Sequence, residues 1–168
     1  FQKMVGHVTQ KDLFVMTKVE EELLFVIDKY EYKTKDDKMR ILDSLQISYD
    51  VREYEDNTDH ELTKGAANRT AEKLGLEPET VYKTIVMRSD KKEIFVFCQS
   101  ADKEINLKKA RTVAGCKEIT PIKQDELLSI TGYIRGGCSP LGMKKQFTTF
   151  IDEFATLHEK ICISAGQR

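Results

Sequence analysis

Three places in the chain hold residues that could act on an ester or a phosphate. Gly136, Gly137, Pro140 and Gly142 fall close together within the stretch Tyr133–Lys145. A glycine opening a Gly-x-x-x-Pro unit lets a backbone N–H approach a carbonyl oxygen with no Cβ in the way, which is what an oxyanion hole requires. A tight structural turn would use the same residues. Lys83 and Thr84 adjoin in Val81-Tyr82-Lys83-Thr84-Ile85-Val86, a run with strand composition. Side chains alternate along a strand, so the two point to opposite faces and one of them faces a given pocket. On spacing alone Lys83 is a solvated strand lysine. Lys108, Lys109, Arg111, Lys144 and Lys145 are cations that could meet phosphates, with affinity falling as salt rises, or cover solvated faces.

Other chemistries lack their residues. His7, His60 and His158 are too few and too scattered to nominate a general base. Cys98, Cys116, Cys138 and Cys162 form no CxxC pair and have no His pair nearby. A zinc ribbon or a thiol–disulfide motif is therefore not written here; no metal or cofactor is expected, and four reduced, mostly buried thiols are. The chain has 168 residues, 40% hydrophobic and 33% charged, enough for one domain with a proper core. Its 27 Lys+Arg against 28 Asp+Glu leave a net charge of -1, so nucleic-acid binding must come from a local patch. The longest apolar runs, Leu23–Ile27 and Ile94–Cys98, are five residues each, against the roughly 20 that a membrane-spanning helix needs. With no export signal either, a cytoplasmic protein is expected. Phe1 stands where an initiator Met would, so the sequence is expected to be part of a longer translated chain.

The elements that would position these residues follow from periodicity. Met39, Ile41, Leu42 and Leu45 have helical spacing and lead into an alternating run from Ile47 to Tyr54, a strand. A second apolar stripe, Leu62 to Leu74, ends at Gly75. Val81–Arg88 and Glu93–Gln99 predict a hairpin turning through Ser89–Lys92, its second strand apolar on both faces. Asn106 predicts the cap of a helix stopped by Gly115, and a short helix over Asp125–Ile130 closes at Gly132. Phe147–Ile151 and Lys160–Ser164 read as closing strands, giving a mixed sheet with helices packed on it.

Seven motifs then stand in a familiar order. They are Arg52-Glu53-Tyr54-Glu55, Ala71–Leu76 with Pro78, Val81–Val86, Asn106-Leu107-Lys108-Lys109, the loop Thr131–Lys145, Ile151-Asp152-Glu153, and Ser164–Arg168. In this order they resemble the YbaK family of editing deacylases, relatives of the insertion domain of prolyl-tRNA synthetase. The resemblance implies an α+β fold with a mixed, largely antiparallel, bent sheet and packed helices. It covers residues 38–168 as a core, within a single editing domain over 1–168. In the family the last motif is followed by a strand and a helix. Residues 1–19 resemble that missing tail, which gives the expectation of a circular permutation, with 20–37 as linker or extension and part helix. An unrelated N-terminal extension is the alternative.

The implied activity is hydrolysis of the ester of a mischarged aminoacyl-tRNA, above all Cys-tRNA(Pro), with Ala-tRNA(Pro) as the other substrate. The alternative is a non-catalytic YbaK-like module that binds tRNA, a nucleotide or a synthetase. An activated ester needs geometry, an oxyanion donor and an attacking group more than it needs a metal or a triad. By resemblance Lys83 is the key lysine, holding the terminal phosphate or ester region, and Gly136 supplies the oxyanion donor. Gly137, Ser139 and Pro140 bound the aminoacyl pocket, Tyr54, Thr84 and Ser164 line it, and Asp152 orients the loop or a lysine, with a turn role as its plain reading. In the cysteine branch the substrate's own thiol attacks, so Cys138 is read as packing. Lys108, Lys109, Arg111, Lys144 and Lys145 would hold the acceptor stem of a proline tRNA, and prolyl-tRNA synthetase is an implied partner. The sequence leaves the oligomeric state open.

Overall fold

Helix and strand formers alternate along the chain, and the computed structural model of the protein describes residues 23–28, 37–44, 46–54 and 65–166. Among these described residues seven strands and four helices follow in the order β1 (Leu23–Asp28), α1 (Asp37–Ser44), β2 (Tyr49–Tyr54), α2 (Ala66–Leu74), β3 (Val81–Ser89), β4 (Ile94–Ser100), α3 (Leu107–Ala114), β5 (Ile119–Pro121), α4 (Gln124–Thr131), β6 (Thr148–Ile151) and β7 (Ile161–Ser164). Short 3-10 turns at Pro78–Thr80 and Glu153–Leu157 complete them. Asn106 caps α3 as expected, its side chain accepting from the Lys109 N–H, and Gly115 ends the helix in the left-handed conformation that a Cβ would penalise.

The strands form one sheet in the order β2-β1-β7-β3-β4-β6, with β5 pairing β3. The hairpin β3–β4 is antiparallel, as its turn requires, and so is β3–β5. The pairs β1–β2, β1–β7, β3–β7 and β4–β6 are parallel. The expected largely antiparallel sheet is thus corrected to a mixed one with more parallel than antiparallel pairings among the described residues. The reason lies in the connections: β3 and β4 join through a tight turn, whereas β1–β2 and β4–β6 are separated by helices, which return the chain in the same direction.

A second correction concerns residues 20–37, expected as linker and part helix. Leu23–Asp28 is strand β1, sitting between β2 and β7. Leu-Leu-Phe-Val-Ile has the length and the β-branched and aromatic content of a strand, and is too short for a stable helix. The proposed displaced tail at residues 1–19 lies outside the described residues.

Helices cover both faces. On one, Leu42 of α1 packs with Tyr82, Cys98, Leu141 and Ile163, and Leu127 of α4 packs with Val86, Val96, Tyr133 and Cys138. On the other, Ala71 of α2 meets Val81, Ala101 and Cys162, while Ala110 of α3 meets Met87, Phe95, Phe97 and Phe150. Phe95 to Cys98 of β4 are all buried, which is why that strand is apolar without alternation. Phe97 and Phe150 stack at 5.1 Å between ring centroids across β4–β6.

Met87 is 0% exposed beneath α3. Met87→Ala is expected to lower stability by about 2 to 5 kcal/mol, read as a fall in the urea midpoint with an unchanged slope. Arg88 of β3 donates to Glu126 of α4 at 2.8 and 3.2 Å, tying that helix to the sheet. The Arg88 hydrogen bond holds the Glu126 carboxyl below its ordinary value. A depressed carboxyl pKa adds stability that is present above the unfolded-state value and lost as pH falls through the folded one. Urea midpoints measured from pH 7 down through the carboxylate range should therefore fall less steeply for Glu126→Gln than for the native chain.

Candidate functional site

Side-chain alternation on β3 places Val81, Lys83, Ile85 and Met87 on the face covered by α2 and α3. Lys83 pairs in register with Gln99 of β4. Continuing the register of β6 one step past Cys98↔Ile151 sets Asp152 beside Gln99, and the Gln99 Nε2 donates to the Asp152 Oδ2. Continuing that of β7 one step past Tyr82↔Ile163 sets Ser164 beside Lys83. The result is a polar row, Ser164–Lys83–Gln99–Asp152, crossing four strands near the ends of β4, β6 and β7. Apolar residues flank it on either side: Val81, Ala101 and Cys162 under α2, and Ile85, Phe97 and Phe150 under α3.

Each member of the row is anchored. The half-buried Lys83 Nζ donates to the carbonyl oxygens of Ala101 at 3.3 Å and Lys103 at 2.5 Å, in the turn leaving β4. An ammonium carries three donors, and no third acceptor meets Lys83 among the described residues. The Asp152 Oδ1 accepts from the Phe154 N–H at 3.1 Å and so caps the Glu153–Leu157 turn. Asp152 thus fulfils its plain reading as a turn residue and also fixes Gln99 next to the lysine. The Ser164 Oγ accepts from the Gly166 N–H at 3.1 Å. Tyr54 shares this face, packed against α2, with its hydroxyl 3.4 Å from that of Thr70 and the Lys73 ammonium 5.5 Å from its ring centroid.

The other predicted residues lie on the opposite face. Thr84 points away from Lys83 and its hydroxyl lies beside the Cys98 thiol. The loop after α4 packs Cys138 against Val86 and Val96, and Leu141 against Tyr82 and Cys98. It sits level with Lys83 along the strands but behind the sheet. Gly136 adopts φ of 87°, a left-handed conformation that favours glycine. The Gly137 N–H donates to the Ile134 carbonyl at 3.2 Å, whereas the N–H groups of Gly136, Cys138 and Ser139 have no acceptor among the described residues. Ser139 and Pro140 are buried, and the Ser139 Oγ accepts from the Leu141 N–H at 3.2 Å.

The five expected cations form two groups. Lys108, Lys109 and Arg111 are exposed on α3, on the Lys83 face, where Lys109 reaches Glu153 at 3.9 Å. Lys145 is exposed, and the Lys144 Nζ donates to the Leu128 carbonyl of α4 at 3.1 Å, on the other face. Gln99 and Lys103 are the neighbours of Lys83 that sequence reasoning passed over, and Phe154 lies beneath the Lys103 ammonium.

The family model for the aminoacyl-tRNA editing domain matches residues 60–168. The chain is 36% identical over 140 residues, 83% of its own length and 83% of the other's, to "Putative Cys-tRNA(Pro)/Cys-tRNA(Cys) deacylase EbsC" of Enterococcus faecalis. Among solved structures it superposes on "hypothetical protein APE2540" with a TM-score of 0.58 and 18% identity, over 66% of this chain and 73% of that one. It superposes on "a putative trans-editing enzyme for prolyl tRNA synthetase" with a TM-score of 0.50 and 22% identity, over 58% of this chain and 61% of that one, less than two thirds of its length. These likenesses establish the mixed α+β fold.

Thiol chemistry at the loop is disfavoured by burial. It pushes the Cys138 thiol up to about 12, and those of Cys98 and Cys162 likewise to about 12. A thiol so protonated is neither a nucleophile nor a metal ligand near neutral pH. No cluster of three or more His, Cys, Asp or Glu side chains is placed to hold a metal among the described residues, and no described helix is long and apolar enough to cross a membrane. Cys116 is part-exposed while the other three thiols are buried. Brief iodoacetamide treatment of the folded protein at pH 8 should alkylate Cys116 first by peptide mass spectrometry; Cys138 reacting first would contradict this packing.

Proposed function

The chain belongs to the aminoacyl-tRNA editing domain family, and on that premise we propose that it is a trans-editing hydrolase cleaving the ester of mischarged aminoacyl-tRNA. The substrate we assign is Cys-tRNA(Pro), in line with the name carried by its 36% identical relative. The observation that carries this reading is the Lys83 ammonium, fixed by two backbone carbonyls and with one donor left over. A charge held in place before the substrate arrives needs no reorganisation when it meets the terminal phosphate or the ester.

In this reading the chemistry needs little more from the protein. The aminoacyl ester is already activated: the substrate's cysteine thiol attacks its own carbonyl carbon, forming a C–S bond as the ribose oxygen leaves with the thiol proton, and water then opens the resulting thiolactone to free cysteine. Cys138 is packing and supplies no nucleophile. Gly136, whose N–H has no acceptor among the described residues, is the proposed oxyanion donor. Ser164 and Tyr54 face the aminoacyl or adenosine group from the Lys83 side. Lys108, Lys109 and Arg111 hold the acceptor stem through phosphate charge without reading sequence. A protein that binds tRNA in this way takes its selectivity for proline tRNA from prolyl-tRNA synthetase as partner, and works in the cytoplasm.

Single-turnover deacylation of Cys-tRNA(Pro), Ala-tRNA(Pro) and Pro-tRNA(Pro), with no added metal, tests this reading. The native chain should clear Cys-tRNA(Pro) fastest. Lys83→Ala should slow that step by roughly 10- to 150-fold, the usual worth of a charged hydrogen bond. Equal rates for native and Lys83→Ala proteins would remove the lysine from the mechanism. No turnover above buffer, with tRNA still bound, would replace the hydrolase with a binding module.

A further inference from the structure

We propose that Phe154, steadied by Lys103, is a stacking platform for the 3′-terminal base of the substrate, set at the mouth of the polar row. This inference rests on the reading of the substrate as an aminoacyl-tRNA and extends the site by two residues.

Phe154 is 42% exposed, an aromatic ring left in water on the Glu153–Leu157 turn. Its position is nevertheless fixed. The Lys103 Nζ lies 3.4 Å from its ring centroid, and its backbone N–H is bound by Asp152. Both ties lead to the row. Lys103 offers its carbonyl to the Lys83 ammonium, and Asp152 holds Gln99, the register partner of Lys83. The platform and the proposed catalytic lysine are therefore tied to the same neighbours, Lys103 directly and Asp152 through Gln99.

The surroundings select the occupant. Leu157 is 73% exposed on the same turn, and Leu107, 47% exposed, opens α3. The Lys109–Glu153 contact at 3.9 Å brings α3 against that turn, and with it the exposed cations Lys108 and Arg111. An exposed aromatic ring with a lysine over it, on a turn that also carries Leu157 and Glu153 and meets Lys109 of a helix bearing Lys108 and Arg111, suits single-stranded nucleic acid: bases stack on the ring and phosphates meet the cations. An apolar peptide segment would gain nothing from the cations. The unpaired 3′ end of a tRNA is the single-stranded segment that carries the ester, so a base stacked on Phe154 delivers its own ribose toward Lys83.

The test is equilibrium binding, by fluorescence anisotropy, of deacylated tRNA with its terminal adenosine and of the same tRNA lacking it. The native protein should prefer the intact end by roughly 5- to 150-fold, the range for one stacked base. Phe154→Ala should abolish that preference and Phe154→Trp should keep it, with thermal midpoints showing both variants folded. A preference that survives Phe154→Ala, or its absence from the native protein, would overturn the platform and leave this surface to a protein partner. The deacylation assay separates the two readings. End preference without hydrolysis keeps the platform and defeats the proposed reaction, whereas hydrolysis without end preference defeats the platform alone.

Discussion

A lysine ammonium between two apolar rows of a sheet must find oxygen atoms or give up its charge, and the rest of the site follows from how Lys83 solves this. Burying a cation without partners costs far more than any single hydrogen bond returns. The chain meets the demand with backbone rather than with a carboxylate: the carbonyls of Ala101 and Lys103, exposed where β4 ends, take two of the three donors. Carbonyl dipoles steady the ammonium without neutralising it. A carboxylate partner would have cancelled the charge that the proposed reading sets against a phosphate or an ester oxygen.

That solution constrains the neighbouring elements. β4 must stop near Ser100 for the carbonyls of Ala101 and Lys103 beyond it to turn toward the lysine, and the hairpin register must then hold Gln99 opposite Lys83. The parallel return of β6 brings Asp152 beside Gln99, and the start of the following turn is shaped by the same carboxylate. β7 completes the row with Ser164. Phe97, Phe150 and Met87 under α3, and Val81 and Cys162 under α2, wall it on both sides. Packing of this density keeps the row from relaxing, so charge and register are set together.

Much of this was legible in the sequence, and the gaps have physical causes. The hairpin, the Asn106 cap, the glycine stops and the buried β4 were local signals and stood as expected, because each depends on a few neighbouring residues. The direction of strand pairing was not local. Parallel neighbours are chosen by crossovers through helices, which periodicity cannot order, and β1 hid because an apolar run between polar flanks does not name its partners. The family resemblance named Lys83, Asp152, Ser164 and Tyr54 together with Thr84 and the Gly136–Pro140 loop as one site; the structure gathers the first four on one face and puts the others behind the sheet. Strict alternation already separates Lys83 from Thr84. Gln99 was missed by one step of register: a turn through Ser89–Lys92 pairs Arg88 with Glu93 and so Lys83 with Cys98, whereas the structure pairs Ser89 with Glu93 by a backbone hydrogen bond and Lys83 with Gln99. Phe154 gave no signal, since its meaning comes from Lys103, which reaches it only in three dimensions.

The central claim is that substrate meets the protein on the α2/α3 face, at Lys83. The most direct measurement is a crystal structure with a non-hydrolysable 3′-cysteinylamino-adenosine. The account predicts the ligand over the Ser164–Lys83–Gln99–Asp152 row, with the third Lys83 donor on a ligand oxygen. A ligand lying wholly on the other face, against Leu141 and Cys138, with Lys83 bonded only to Ala101 and Lys103, would contradict it.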